Sequence, residues 1–186
     1  MRIIAGAYRG RLLKTLRGRE VRPTSDRLRE TLFNILGPAA AGSVFIDCYA
    51  GSGAVGLEAL SRGAAQVFWI EENAAAARMI ENNLAALGGS LQARTVRTGV
   101  AAGLRRLERQ GVRANFCFLD PPYAALAEAV RNLRWLSASS LMLPGGIVIL
   151  EHGRKDASPE RMGPWSRTRL LQQGSSSLIF YMLHNY

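Results

Sequence analysis

The feature that most constrains the fold is an alternation of short apolar runs with amphipathic segments from residue 43 onward. The strand-like runs are 43–47, 67–71, 91–96, 114–119 and 146–151. The segments with helical spacing lie near 53–62, 73–87, 100–110, 125–136 and 138–142. This alternation predicts a doubly wound α/β domain, with a mainly parallel sheet covered by helices on both faces. The tail differs, since 167–171 and 178–183 flank a turn and predict a hairpin.

A glycine-rich loop follows the first predicted strand. That strand ends at Asp47, and a G-x-G-x-x-G sequence runs from Gly51 to Gly56 before a helix. Glycines at these positions let the backbone turn tightly and approach a ligand closely. Glu71 ends the second strand, where its carboxylate can accept both hydroxyls of a ribose. The loop therefore predicts a site for a cofactor that contains a nucleoside.

Two cofactors suit such a loop, a dinucleotide and S-adenosylmethionine. Asp47 can meet the cationic amino group of a methionine moiety from the end of its strand. A chain of 186 residues is too short for a whole dinucleotide fold plus a substrate domain. Both observations favour S-adenosylmethionine and make a nicotinamide-dependent reductase the least favoured class.

The tetrapeptide Asp120-Pro121-Pro122-Tyr123 follows the buried strand 114–119. Two consecutive prolines cannot extend a central strand, because neither donates a ladder hydrogen bond. The chain therefore turns there, at the same sheet edge as the glycine loop. The Asp120 carboxylate and the Pro121 carbonyl can accept the two N–H bonds of an exocyclic amine, and the Tyr123 ring can stack on a flipped base. A tight turn capped by Asp120 is the alternative.

Positive charge is concentrated at the N-terminus. The net charge is +10, and residues 2–30 hold nine basic residues against three acidic ones. This excess predicts contact with nucleic-acid phosphates, and a merely solvated basic face is the alternative. The residues expected to contact RNA are Arg2, Arg9, Arg11, Arg22, Thr24, Arg27 and Tyr123.

The remaining composition narrows the class of protein. No apolar stretch reaches the roughly 18 residues of a membrane helix, so no membrane partner is expected. Cys48 and Cys117 lie in apolar runs and are interpreted as reduced core residues of a cytoplasmic protein. His152 and His184 are isolated, which predicts neither a metal site nor a catalytic triad.

Several segments together resemble the bacterial methyltransferases that modify the N2 amine of a guanine in 16S ribosomal RNA. The resemblance runs through most of the chain, in residues 2–6, 9–11, 22–30, 32–36, 47–53, 56–64 and 120–123. It implies a seven-stranded methyltransferase sheet with an N-terminal β-hairpin extension. The corresponding division is residues 1–22 for the basic hairpin and 23–186 for the S-adenosylmethionine-dependent domain.

The resemblance also implies a reaction and its residues. The reaction is transfer of a methyl group from S-adenosylmethionine to a guanine of 16S rRNA, within a partly assembled small ribosomal subunit, and we expect a monomer without a metal. The expected catalytic residues are Asp120, Pro121 and Tyr123. The expected cofactor-binding residues are Asp47, Tyr49, Ala50, Gly51, Ser52, Gly53, Glu71, Glu72, Gly99, Val100 and Asp120. Many relatives carry Asp or Asn where Gly99 stands, so backbone groups of Gly99 and Val100 would meet the adenine here.

Other functions remain open at this stage. Adenine-N6 and protein-glutamine methyltransferases use similar tetrapeptides at their sites. A non-catalytic RNA-binding assembly factor with the same fold is the alternative from another class. The intact Asp47, Glu71 and Asp120 argue against lost catalysis.

Overall fold

The computed structural model describes residues 1–15, 25–157 and 159–183, and for Tyr123 it describes the backbone alone. The strands of these residues are β1 (Val44–Cys48), β2 (Gln66–Ile70), β3 (Ala93–Val96), β4 (Ala114–Leu119), β5 (Met142–Gly153), β6 (Arg161–Met162), β7 (Trp165–Gln173) and β8 (Ser176–Leu183). The α-helices are α1 (Asp26–Leu36), α2 (Ala54–Ser61), α3 (Ala74–Ala86), α4 (Val100–Arg109) and α5 (Leu126–Ala138). Short 3-10 helices lie at Gly37–Ala40 and Tyr123–Ala125.

All these strands join one sheet in the order β3-β2-β1-β4-β5-β8-β7-β6. The first five in this order pair in parallel, and the last three pair antiparallel. The direction of chain progression reverses between β1 and β4, which is where ligands of open α/β sheets bind. The predicted α/β class with a mainly parallel sheet is confirmed, and so is the antiparallel hairpin of the tail.

Two local predictions were wrong. The helix expected at 138–142 is absent, because α5 runs on to Ala138 and Met142 already begins β5. Leu141 is buried and its carbonyl accepts a hydrogen bond from the Ala114 amide at 2.7 Å, so this segment joins the sheet. The described part of the sheet also has eight strands and not seven, because the segment between the last predicted parallel strand and the tail hairpin contributes β6.

Apolar side chains form a core on each face of the sheet. One core contains Leu104 and Leu107 of α4 together with Leu133 and Leu136 of α5. The opposite core holds side chains from α1, α2 and α3 and from the N-terminal segment, including Leu32, Leu57, Ile80, Ile3 and Leu13. The two helical layers therefore differ, and only the second includes the N-terminal segment.

The N-terminal segment 1–15 turns back on itself and docks on α2. Arg2 and Leu12 form an isolated antiparallel bridge, so the predicted hairpin is present in shortened form. The buried Glu58 accepts hydrogen bonds from the backbone amides of Ile4 at 2.8 Å and Ala5 at 3.0 Å. Because these contacts are buried, residues 1–15 belong to the folded body of the protein. The boundary expected at residue 22 lies outside the described residues.

Arg29 is one of the nine basic residues counted in residues 2–30, but it does not lie on the surface. Its side chain is fully buried, and it lies 3.0 Å from the Asp26 carboxylate and 3.6 Å from that of Glu58. It also donates to the Arg2 carbonyl at 2.5 Å. Arg29 therefore ties α1 to α2 and to the N-terminal segment and does not contribute to a basic surface. Helix α1 itself begins after Ser25, whose hydroxyl accepts from the Leu28 amide at 3.1 Å.

A helix that crosses a membrane must be both long and apolar. In residues 1–15, 25–157 and 159–183, none is both long and apolar enough to cross a membrane.

Candidate active site

A cavity of about 360 Å³ opens at the carboxyl ends of β1, β2, β4 and β5. This volume lies in the range of roughly 300–1,000 Å³ that is usual for sites binding small molecules and cofactors. The cavity lies beside β1 and β4, between which the strand order reverses. It brings Gly51 of the glycine loop, Glu71 and the turn at Asp120 together in one space.

The glycine loop owes its shape to close packing against Trp69 of β2. The Trp69 indole donates to the Gly53 carbonyl at 3.2 Å. Gly53 has φ +76°, a conformation that residues with a side chain rarely adopt. A Cβ atom at Gly56 would collide with the Trp69 ring, so α2 can approach the strand only with glycine there. The loop is therefore held in place by the sheet, with Gly51 at the cavity edge.

Glu71 is oriented before any ligand binds. One carboxylate oxygen accepts from the Gly51 amide at 2.8 Å, and the other accepts from the Asn73 amide at 2.7 Å. An ionised carboxylate offers about four acceptor positions, so each oxygen keeps one for a further donor. The side chain lines the cavity, where the two remaining positions suit adjacent hydroxyls.

Asp47 lies differently from the sequence-based expectation. Along β1 it alternates with Ile46 and Cys48, so its side chain faces α2, where it accepts from the Gly56 amide at 2.8 Å. Asp47 is 2% exposed and is absent from the cavity lining. Burial, partly offset by the Gly56 hydrogen bond, raises its pKa to about 8. Asp47 therefore stabilises the glycine loop and the first turn of α2 through the Gly56 amide and does not face the cavity.

Tyr49 forms the wall between the loop and α5. Its backbone has φ 58°, which is unusual for a residue with a side chain. Its hydroxyl donates to Glu128 at 3.2 Å, and the Asn132 amide donates to that hydroxyl at 3.4 Å. Burial and the nearby Glu128 carboxylate raise the pKa of Tyr49 well above its usual range, so the phenol stays neutral.

The Asp120-Pro121-Pro122 turn contributes three lining residues. Asp120 and Glu151 each follow by one position the paired residues Leu119 of β4 and Leu150 of β5. Neighbouring positions on parallel strands point to the same face of the sheet, so these two carboxylates share one side of the cavity. Tyr123 begins the 3-10 helix that comes after the turn.

Gly99 lies beside the carboxylate of Glu72 and leaves space there. Gly99 precedes α4 with φ −60°, so the backbone there does not require glycine. A Cβ atom would lie 3.6 Å from an oxygen of Glu72, which is ordinary contact. Gly99, Val100 and Glu72 all line the cavity. Glu72 therefore stands next to Gly99 at the cavity.

The cavity is strongly acidic in a protein whose net charge is +10. Its lining includes six of the chain's fourteen acidic residues, namely Glu71, Glu72, Asp120, Glu128, Glu151 and Asp156. No Lys or Arg lines it among the residues that the structure describes. The negative electrostatic potential of these carboxylates favours a ligand with positive charge. The sulfonium and ammonium groups of S-adenosylmethionine match this requirement, and a doubly negative dinucleotide pyrophosphate does not.

The other expected site residues have these locations. Ala50, Ser52 and Gly53 belong to the glycine loop but do not line the cavity. Arg2, Arg9, Arg11 and Arg27 are exposed on or beside the N-terminal segment. Arg22 and Thr24 lie outside the described residues.

Sequence reasoning missed the side of the cavity formed by the end of β5 and by the tail hairpin. The lining there consists of Glu151, His152, Asp156 and Ser176. The His152 imidazole lies 2.7 Å from the Gly153 carbonyl and 4.0 Å from the Asp156 carboxylate. Glu151 and His152 come at the end of a predicted parallel strand, and that position could have identified them. Asp156 and Ser176 carry no such signal, because Asp156 lies in the loop after β5 and Ser176 begins β8 of the tail hairpin.

A glycine loop after β1, an acidic residue after β2 and an Asp-Pro-Pro-Tyr turn after β4 define a methyltransferase with a Rossmann-like fold. The family model described as Conserved hypothetical protein 95 matches residues 1–182. The chain belongs to this family, and relatives of the chain are named ribosomal RNA small subunit methyltransferase D.

Two of these relatives match nearly the whole chain. The Escherichia coli K12 protein is 37% identical over 182 residues, which cover 97% of this chain and 89% of the relative. The Haemophilus influenzae protein is 35% identical over 190 residues, which cover 99% and 93%. The solved structure of a hypothetical protein from Thermus thermophilus is 32% identical with a TM-score of 0.83, covering 98% of this chain and 99% of that one.

Proposed function

We propose that this protein transfers a methyl group from S-adenosylmethionine to the exocyclic N2 amine of one guanine in 16S ribosomal RNA. The observation that carries the proposal is a single cavity in which Asp120 and Pro121 lie with Gly51 and Glu71. An amine acceptor set and a ribose acceptor are thereby within one small-molecule site. The family relationship to small-subunit rRNA methyltransferases supports the choice of RNA.

The lining residues fit the proposed cofactor group by group. Glu71 would accept the ribose hydroxyls with its remaining acceptor positions, and the acidic lining would favour the cationic sulfonium. Glu72 would accept from the adenine amine, because its carboxylate lines the cavity beside Gly99. Gly99 and Val100 would supply the adjoining backbone groups. The bound cofactor would provide the electrophilic methyl group.

The chain's own contribution to the reaction is orientation and electrostatics. The N2 lone pair of guanine is delocalised into the ring, so the amine is a poor nucleophile. Acceptance of both N–H bonds by Asp120 and Pro121 would favour a pyramidal nitrogen with its lone pair directed at the methyl carbon. The nitrogen–carbon bond forms as the carbon–sulfur bond breaks, and the alkylated amine then loses a proton. Tyr123 would stack on the flipped base.

Glu151 would distinguish guanine from adenine at this site. It is 8% exposed, lines the cavity and lies beside Asp120 at the end of the neighbouring strand. Guanine carries a hydrogen on ring atom N1 next to the N2 amine, whereas adenine has a lone pair on N1. A carboxylate at Glu151 would accept from guanine N1–H and repel adenine N1. This disfavours the alternative function, adenine-N6 methylation.

A substrate analogue tests this role of Glu151. The RNA would carry 2-aminopurine at the methylated position, which keeps the 2-amine but has a lone pair at N1. We expect the wild-type enzyme to lose about 10²-fold or more in single-turnover rate, because a charged acceptor would face an unpaired acceptor. Glu151→Gln should recover much of this loss, since its amide can donate to N1, while methylating guanine more slowly. If Glu151→Gln lowered the rates on guanine and on 2-aminopurine by the same factor, Glu151 would not be the residue that recognises N1.

The proposed ribose contact predicts a loss of cofactor affinity in Glu71→Ala. Removing a charged acceptor of two hydrogen bonds should cost on the order of 1.5–3 kcal/mol, or roughly 10–150-fold in affinity. Isothermal titration calorimetry with S-adenosylmethionine measures this directly. The matched control is Glu81→Ala, which removes an exposed carboxylate paired with Arg97 and should leave affinity unchanged. If Glu71→Ala and the wild type bound S-adenosylmethionine with equal affinity, Glu71 would not be the ribose acceptor.

The proposed substrate is tested by methyl transfer to defined RNA. Small ribosomal subunits from cells lacking this protein would be incubated with it and labelled cofactor, next to naked 16S rRNA and large subunits. We expect label in small-subunit RNA, with the partly assembled particle as the best substrate. Label confined to large-subunit RNA or to protein would overturn the assignment of substrate.

A further inference from the structure

We propose that the outer surface of α4 and α5, with the turn after α4, is a second RNA-contact surface that grips the phosphates of the substrate away from the methylated nucleotide. This surface, called the arginine face below, consists of Arg105, Arg106, Arg109, Arg113, Arg131 and Arg134. The inference deepens the proposed function and rests on it only in taking RNA as the substrate. The N-terminal segment lies on the opposite face of the sheet.

The arginine face is a continuous surface of two adjacent helices. Leu104 and Leu107 of α4 and Leu133 and Leu136 of α5 face the core, so residues between them point outward. All six arginines of the face are exposed. The Arg105 guanidinium lies 5.5 Å from the centre of the Trp135 ring, which joins the two helices at the surface. Helix α4 alone is about 15 Å long, so the face can follow several phosphates.

These arginines are not neutralised by carboxylates. Elsewhere in the structure Arg29, Arg62, Arg97 and Arg167 each form an ion pair with Asp or Glu. In the described part of the chain no such pair involves the arginine face. The one acidic residue on its outer surface, Glu108, accepts from the Ser140 amide at 2.8 Å. Arg105 and Arg113 donate to the backbone carbonyls of Ala101 and Ser140, which leaves their positive charge in place. The face can therefore attract an external anion.

The charge balance of the whole chain points to the same surface. Residues 2–30 hold nine of the 24 basic residues and three of the 14 acidic ones. The arginine face with Glu108 holds six basic residues and one acidic one. The rest of the chain then has nine basic against ten acidic residues, which is close to neutral. The net charge of +10 thus lies in these two stretches of the sequence. The described residues 1–15 and the helices of the arginine face pack on opposite sides of the sheet.

RNA fits this distribution better than an acidic protein surface does. Arginine pairs with phosphate through a planar fork, and exposed guanidinium groups can also stack on bases. A methyltransferase that acts on one nucleotide of a large folded RNA must hold that RNA beyond the target. Contacts on both sides of the active cavity would fix its orientation. The arginine face supplies the side that the N-terminal segment does not reach.

The test is a charge-matched pair of triple variants in the full chain. The first is Arg106→Gln, Arg109→Gln and Arg134→Gln. The control is Arg78→Gln, Arg161→Gln and Arg169→Gln, which removes the same charge from exposed positions outside both basic regions. Binding of 16S rRNA would be measured over a salt series, with calorimetry of S-adenosylmethionine and thermal melting as checks on the fold.

We expect the first variant to bind RNA at least about tenfold more weakly at low salt and to reduce the slope of log K against log salt by about 2–3. The control should change the slope far less, and both should bind the cofactor normally. Equal slopes in the variants would mean that only total charge matters and would overturn the proposal. Unchanged RNA binding with lost binding to ribosomal particles would assign the face to a protein. Since binding is measured separately from methylation, a wrong target nucleotide would leave this result unaffected.

Discussion

Asp120→Ala is expected to lower the single-turnover rate of methyl transfer by on the order of 10²–10³, the loss known for one preorganised acceptor or donor in a transition state. Asp120 lies at a turn fixed by two prolines, and its carboxylate lines the cavity beside the glycine loop. Its benefit arises mainly as the target amine becomes pyramidal, so the effect falls on the rate constant. Binding of RNA and cofactor should stay within a few-fold of the wild type.

Graded variants separate this chemical role from a structural one. Asp120→Asn keeps one neutral acceptor and should fall between the wild type and Asp120→Ala. A cap of the turn would instead be replaced well by asparagine, and its loss would lower the melting temperature without a specific effect on rate. A wild-type rate constant in Asp120→Ala at saturating RNA and cofactor would remove Asp120 from the mechanism.

Glu58→Ala is expected to destabilise the folded protein by about 3–5 kcal/mol, because the buried Arg29 then keeps only the half-exposed Asp26 as a charged partner and the Ile4 and Ala5 amides lose their acceptor. Glu58 is fully buried and accepts from Arg62 at 2.8 Å and from the Ile4 and Ala5 amides. It also faces the fully buried Arg29 at 3.6 Å. For a chain of this size the melting temperature should fall by about 6–20 °C. Denaturant unfolding or calorimetry measures the change.

Two further variants identify the cause of that loss. Glu81→Ala breaks an ion pair with Arg97 in which both side chains are about half exposed, and it should cost under about 1 kcal/mol. Glu58→Ala combined with Arg29→Met removes both buried charges and should recover part of the stability. Similar losses in Glu58→Ala and Glu81→Ala would contradict the view that Glu58 anchors the N-terminal segment to α2.

The sequence predicted those parts of the site whose signals are local. The G-x-G-x-x-G loop and the double proline of the Asp120 turn have backbone requirements that only a few structures satisfy. Glu71 could be predicted because it ends a recognisable strand, and parallel strands bring their carboxyl ends to one edge. These signals located one side of the cavity.

Other features depended on contacts far apart in the sequence. Arg29 looked like part of a basic arm, because nothing local indicates that Glu58 would bury it. Asp47 was expected to reach the ligand, but the alternation of side chains along β1 turns it toward α2. The arginine face was missed because its residues are spread over two helices, and only packing brings them onto one surface. The helix expected at 138–142 is absent because Leu141 joins the sheet through Ala114.

One measurement tests the central claim most directly. Small-subunit RNA methylated in vitro by the wild-type protein would be digested to nucleosides and separated by chromatography with mass spectrometric detection, next to RNA treated with Asp120→Ala. The proposed function predicts N2-methylguanosine as the new product, at close to one per particle, with almost none from Asp120→Ala in the same time. N6-methyladenosine in its place, or equal product from both proteins, would contradict the account.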